Sequence, residues 1–120
     1  MVELQLTYPP SVNDYYKKWC QGPAVKVAID KAGSAFRAEV LRFKLVDLHN
    51  PKPLAGRISM EIELWKPDRR KRDIDNPLKC LFDALTYAQV WLDDEQVDCL
   101  LMHKRGVESP GKTIITLREI

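Results

Sequence analysis

Apolar and polar residues alternate in two stretches of the chain. Val2, Leu4 and Leu6 alternate with Glu3, Gln5 and Thr7, and Ile58, Met60, Ile62 and Leu64 alternate with Ser59, Glu61, Glu63 and Trp65. Successive side chains of a strand point to opposite faces, so each stretch predicts a half-buried strand with one apolar side. Between them the period lengthens. From Lys31 to Asp47, Ala32, Phe36, Val40 and Phe43 form one stripe with Ala38, Leu41, Leu45 and Leu48 beside it, which predicts an amphipathic helix with a wide apolar face. Asp30 or Ser34 is placed to cap this helix, and His49, Asn50, Pro51 and Pro53 end it.

A second helix is expected from Asn76 to Val90. Leu78, Leu81, Phe82 and Leu85 keep the three-four spacing, Asn76 suits the N-cap and Pro77 the first helical position. Val97, Cys99 and Leu101 then suggest a third strand, and Thr113 to Ile120 a fourth. The order β-α-β-α-β-β, with adjacent terminal strands, predicts an α+β fold of two layers, with two helices on a mixed β-sheet. Ser11 to Asp30 shows no sustained period and reads as a loop containing Gly22 and Pro23. Loops of that length are uncommon without a function. Its Tyr15, Tyr16, Lys17, Lys18 and Trp19 suit either stacking on bases with contacts to phosphates or pinning of the loop to the core.

Composition narrows the class. A chain of 120 residues, 45% hydrophobic and 30% charged, predicts one folded domain over residues 1–120. A net charge of only +2 means that a nucleic-acid partner has to be argued from local clustering. Cys20, Cys80 and Cys99 are odd in number and lack metal-ligand spacing, which argues against a disulfide framework and a zinc site and for reduced thiols. The N-terminus lacks the charged start and apolar run of a signal peptide, and no apolar run approaches the ~20 residues that span a bilayer. A cytoplasmic protein without a membrane partner is expected.

The charge is sorted along the middle of the chain. Lys66 to Lys79 holds six Lys or Arg against three Asp, whereas Asp83 to Asp98 holds five acids and no base. Carboxylates crowded near cations are what a hard divalent metal and a polyanionic substrate require together, because Mg²⁺ takes oxygen ligands and shares them with substrate phosphates. Asp73 and Asp75, two apart in an extended loop, project to the same side, and Asp94 joins them if the second helix returns the chain nearby. A cluster of three carboxylates is self-repelling unless a cation compensates. The residues therefore point to a metal-dependent nuclease.

Simpler roles compete at each position. An acidic pair ahead of a helix is often only a cap, and Arg69 to Arg72 reads equally as a solvated loop face. Lys79 and Asp83 have the spacing of a surface ion pair, and His103 is better read as a strand residue than as a ligand or base. With only His49 and His103 present, and neither in a triad-like setting, nucleophilic serine or cysteine chemistry is not expected.

The run from Pro67 to Asp94, PDRRKRDIDNPLKCLFDALTYAQVWLDD, resembles the signature of RusA-type Holliday junction resolvases: a basic loop, D-x-D-N, a lysine three residues after the Asn, F-D-A-L and W-L-D-D. Agreement continues through Glu95, Gln96 and Val97, and PPSVNDYY at Pro9 to Tyr16 is similar to the family's first loop. The resemblance implies a homodimeric, Mg²⁺-dependent endonuclease, with Mn²⁺ a possible substitute, that cuts four-way junction DNA in recombination and repair. It assigns metal binding and catalysis to Asp73, Asp75 and Asp94, with Asp93 as an alternative ligand to Asp94. Lys79 becomes a catalytic or DNA-contacting lysine, and Arg69, Arg70, Lys71 and Arg72 become phosphate contacts. A less structure-selective nuclease and a non-catalytic nucleic-acid binding domain are the alternatives. Trp65 and Trp91 are candidates for the dimer surface or for the core.

Overall fold

The computed structural model describes residues 1–11, 16–21 and 24–120, with the backbone alone for 16–21 and 24–28. Its elements are β1 (Val2–Leu6), β2 (Tyr16–Gln21), β3 (Ala24–Ile29), α1 (Lys31–Arg42), β4 (Ile58–Lys66), α2 (Leu78–Tyr87), β5 (Val97–Val107) and β6 (Lys112–Glu119). Four strands form one mixed sheet in the order β1-β6-β4-β5. β6 runs antiparallel to both β1 and β4, and β5 runs parallel to β4. The main elements thus follow the expected order in an α+β fold. The two last strands are consecutive in sequence but not neighbours, because β4 lies between them.

The predicted loop from Ser11 to Asp30 is a correction: it contains the antiparallel pair β2–β3, with Trp19 opposite Lys26 and Gln21 opposite Ala24. Val25, Val27 and Ile29 do alternate with Ala24, Lys26 and Ala28, and Gly22-Pro23 between the strands is a turn signal, but the partner run YKKWCQ has no period of its own. The stacking or pinning roles of Tyr15, Tyr16, Lys17, Lys18 and Trp19 lie outside the described side chains, as does Cys20.

The core sits between the helices and one sheet face. Leu4 and Leu6 of β1, Ile58, Met60, Ile62 and Leu64 of β4, and Ile115 and Leu117 of β6 meet Phe36 and Val40 of α1 and Leu81, Ala84 and Leu85 of α2. Burying each such side chain stabilises the fold by about 1.5–3 kcal/mol before entropy is counted. On α1 the stripe is narrower than expected, since Leu45 is exposed and Ala32 and Ala38 face outward. A π-helical turn at Phe43–Asp47 follows α1, and His49 and Asn50 at positive φ reverse the chain.

Both helix starts differ from the expected caps. Asp30 occupies the N-cap of α1 but makes no side-chain cap bond; its carbonyl accepts from the Ser34 N–H at 2.9 Å. α2 begins at Leu78 with Pro77, not Asn76, in the cap position. A turn closed by Asn76 N to Asp73 O (3.3 Å) and Leu78 N to Asp75 O (3.0 Å) uses the backbone groups that an Asn76 cap would have served. α2 also stops at Tyr87 rather than Val90. Gln89 there takes φ 60°, while the N–H of Gln89 bonds Thr86 O and that of Val90 bonds Leu85 O, the double closure that ends many helices.

Trp91 is fully buried, donates from Nε1 to Thr86 Oγ1 at 2.7 Å and meets Phe82 edge to face, so it belongs to the core and not to a dimer surface. Trp65 lies half-buried on the other sheet face with the Lys112 ammonium 4.3 Å from its ring centre. Gly111 takes φ 106° in the turn before β6, where an added Cβ would come within 2.8 Å of Tyr8 Cβ. Among the described residues, no helix is long and apolar enough to cross a membrane.

Candidate nuclease site

The crossover from β4 through α2 to β5 has a basic end and an acidic end. At the basic end, residues 67–77 leave β4 and fold around Asp68. The carboxylate of Asp68 accepts from the Arg70 backbone N–H (2.9 Å), from Arg72 Nη1 (2.7 Å) and from Arg72 Nη2 (3.2 Å). These donors hold Asp68 well below the ordinary carboxylate range, Arg72 contributing most. The Arg72 guanidinium is raised in turn, chiefly by Asp68, and lies 5.6 Å from the Tyr8 ring centre. Burial raises the Tyr8 phenol, and nearby Arg72 partly offsets the shift. The Lys66 ammonium bonds the Arg70 carbonyl and the Lys104 ammonium bonds the Arg72 carbonyl, each at 2.9 Å.

This framework divides the expected phosphate contacts. Arg72, with 16% of its side chain exposed, holds the loop together, whereas Arg70 is 79% exposed and Arg69 and Lys71 also face solvent. A cleft of about 320 Å³ opens between Tyr8, Pro9, Pro67 and Asn76 on the side of Arg70 and Lys71. A smaller one of about 160 Å³ lies between Tyr8 and Arg72 on one side and Lys66, Lys104 and Arg105 on the other. Tyr8, Lys104 and Arg105 escaped the reading by sequence. The parallel register that sets Lys104 opposite Leu64 brings β5 beside the loop, and no local pattern encodes it.

Asp73 and Asp75 follow Arg72 on the exposed surface just ahead of α2, and Lys79 is exposed in its first turn. Asp83, expected to pair with Lys79, accepts from Arg37 Nε (3.0 Å) and Nη2 (2.7 Å) and so ties α2 to α1, with the Arg37 guanidinium 4.6 Å from the Tyr87 ring centre. His103 is a strand residue, 3.7 Å from the Glu61 carboxylate.

The acidic end is organised by Gln96, whose side chain is buried. Its Oε1 accepts from the N–H groups of Leu92 (2.9 Å) and Asp93 (2.7 Å), and its Nε2 donates to Leu54 O (2.8 Å) and Gly56 O (2.9 Å). Asp93 closes a capping box with Gln96 over the short 3₁₀ turn Asp94–Gln96, which gives Asp93 a structural task, and both aspartates lie at the exposed surface. Burial, a hydrogen bond with Asp93, and the charges of Asp93 and Asp83 all raise the Asp94 carboxyl. Arg57 clamps Glu95 and Asp98 from outside and holds Asp98 below its usual range.

The three aspartates assigned to the metal thus occupy two places. Asp73 and Asp75 precede α2, whose ten residues span about 15 Å, and Asp94 follows it beside Asp83 and Asp93. Among the described residues no three His, Cys, Asp or Glu are gathered closely enough to hold an ion. The oxygen donors suit a hard divalent cation, and the crowding around Asp94 is the kind that a cation relieves. Their separation in the single chain does not complete a coordination shell.

Comparison with known proteins bears on this arrangement. The profile of the family described as endodeoxyribonuclease RusA matches residues 7–118. A protein named crossover junction endodeoxyribonuclease rusA from Enterobacteria phage 82 is 36% identical over 120 residues, covering 98% of this chain and 93% of the relative. Proteins of the same name from Escherichia coli (strain K12) and Shigella sonnei (strain Ss046) are 35% and 37% identical over the same shares. With the match running nearly end to end and spanning the basic loop, α2 and the acidic turn, the chain belongs to the endodeoxyribonuclease RusA family.

Proposed function

We propose that this protein resolves four-way (Holliday) DNA junctions by paired hydrolysis of phosphodiester bonds, as a homodimer, in recombination and repair. The observation that carries the reading is the cleft lined by Arg70, Lys71 and Arg72, on the loop that also carries Asp73 and Asp75, in a chain whose relatives are named crossover junction endodeoxyribonucleases. Arg69, Arg70 and Lys71 contact phosphates, and Arg72 holds their loop in shape while facing the same cleft. Lys79 supplies positive charge where the scissile phosphate becomes more negative. Asp73, Asp75 and Asp94 would hold Mg²⁺, or Mn²⁺ in its place, once brought together. When bound, such an ion lowers the pKa of a water and stabilises a leaving oxyanion. Two strands cut at related positions call for two sites in matching symmetry, which a closed dimer supplies.

Cleavage of labelled four-way junction, duplex and RNA in Mg²⁺ tests the reading. Resolution of the junction with little cutting of the other two is expected. Asp73→Asn and Asp75→Asn, which keep shape and remove charge, are expected to abolish cleavage while junction binding persists. Indiscriminate cutting, or binding without cutting by the unaltered protein, would reject junction resolution, and full activity of either variant would reject the site.

A further inference from the structure

We infer that Asp68 is a built-in stand-in for a backbone phosphate: it occupies Arg70 and Arg72 in the free protein, gives them up when DNA binds, and so limits how tightly the basic loop holds its substrate. The inference rests on the junction-binding reading above and adds a role for the one acid seated among these cations. The donors that converge on this carboxylate are those of an anion site. Its Oδ1 accepts from the Arg70 N–H (2.9 Å) and Arg72 Nη1 (2.7 Å), and its Oδ2 from Arg72 Nη2 (3.2 Å) and from Arg70 Nη2 (3.2 Å) and Nε (3.4 Å). Guanidinium forks and backbone N–H groups are also how proteins hold phosphates, and a phosphodiester matches a carboxylate in its single charge and its two acceptor oxygens. Both arginines line the cleft of about 320 Å³, with Lys71 beside them.

The loop keeps other supports when the carboxylate lets go. Lys66 Nζ holds the Arg70 carbonyl and Lys104 Nζ the Arg72 carbonyl, each at 2.9 Å, from the paired strands β4 and β5. The Arg72 guanidinium also lies 5.6 Å from the Tyr8 ring centre, a contact that does not involve Asp68. The pairing itself is exchangeable. The Asp68 side chain is 43% exposed, and ion pairs in contact with water are weak and open readily. An arriving phosphate therefore meets a like charge in the place it has to occupy. A departing one leaves behind a tethered carboxylate that takes the arginines back, because tethering keeps its effective concentration high. The exchange lowers affinity and speeds release of DNA.

The test is binding of the full chain to a labelled four-way junction without divalent metal. Asp68→Asn and Asp68→Ser each keep an acceptor for the Arg70 N–H and remove the charge. Both are expected to tighten binding about three- to tenfold in about 50 mM salt, mostly through slower dissociation, with the gain shrinking as salt rises. Asp68→Glu, which keeps the charge, is expected to bind like the unaltered protein. Glu3→Gln removes a charge of the same sign from an exposed position on β1 and is expected to change affinity by less than about twofold. Urea unfolding checks that each variant is folded. Weaker or unchanged binding by the two neutral variants would mean that Asp68 only shapes the loop. Equal tightening by Asp68→Glu or Glu3→Gln would mean that the charge at this place is not what matters. Either result overturns the inference while the junction reading stands. An unaltered protein that binds no junction overturns both.

Discussion

The basic and acidic ends of the crossover each use polar side chains to hold a loop, and they differ in what those side chains leave over. At the basic end Asp68 satisfies Arg72 and the Arg70 backbone, both partners lie near the surface, and Arg69 and Lys71 stand in solvent. At the acidic end a neutral, buried Gln96 serves four backbone groups and Arg57 neutralises Glu95 and Asp98, while Asp94 remains among other carboxylates. The first loop is held by a part-exposed charge pairing, which is sensitive to salt and pH. The second is held by a buried amide whose loss would orphan its partners. In both places the paired groups build the loop, and Arg69, Lys71 and Asp94 lie at the exposed surface.

Three variants test this contrast, from the largest effect to the smallest. Gln96→Ala is expected to cost about 2–3 kcal/mol, because two N–H and two C=O groups, all part-buried, lose their partner at once. Urea unfolding measures it, and a cost under about 1 kcal/mol would mean that water replaces the amide.

Asp68→Asn is expected to act mainly through pH. Because Asp68 is held below its unfolded value, its contribution is present above about pH 4 and is lost as the pH falls through its folded value. Asp94 works in the opposite sense: its carboxyl is raised, so its ionisation lowers stability as pH rises through the folded value. Unfolding curves of Asp68→Asn between pH 5 and pH 2.5 should therefore fall less steeply than those of the unaltered protein, and parallel curves would show that the Asp68 pairing does not hold the loop.

Arg69→Ala combined with Lys71→Ala is expected to leave stability within about 0.5 kcal/mol. The same variant should reduce the salt dependence of junction binding by about 0.9 log unit of slope per lost phosphate contact. An unchanged slope in a salt titration would return these two cations to a solvated surface.

Much of the fold was legible because its signals are local. The alternation in β1 and β4 named every inward residue of those strands correctly, and the stop after Asp47 came from His49, Asn50 and two prolines. The β2–β3 pair was missed because one of its strands has no period, and the α2 cap because a turn at residues 73–77 satisfied the groups that Asn76 would have served. The roles of Trp91 and Asp83 were open for a different reason. Each depends on a distant partner, the core for the ring and Arg37 of α1 for the carboxylate.

For this protein the sequence by itself determined the α+β class, the sorted charge and, through a motif spread over Pro67 to Asp94, the family, since these depend on residue types and short spacings. Only the tertiary structure decided which cations are paired, that Asp93 caps the turn that Asp94 opens, and that Asp73 and Asp75 lie apart from Asp94. It also decided that Lys104 lies beside the basic loop and that β5 is the last strand of the four-stranded sheet. These outcomes depend on strand order and register, which are set by burying one face of every strand at once, and no single stretch of the chain carries that information.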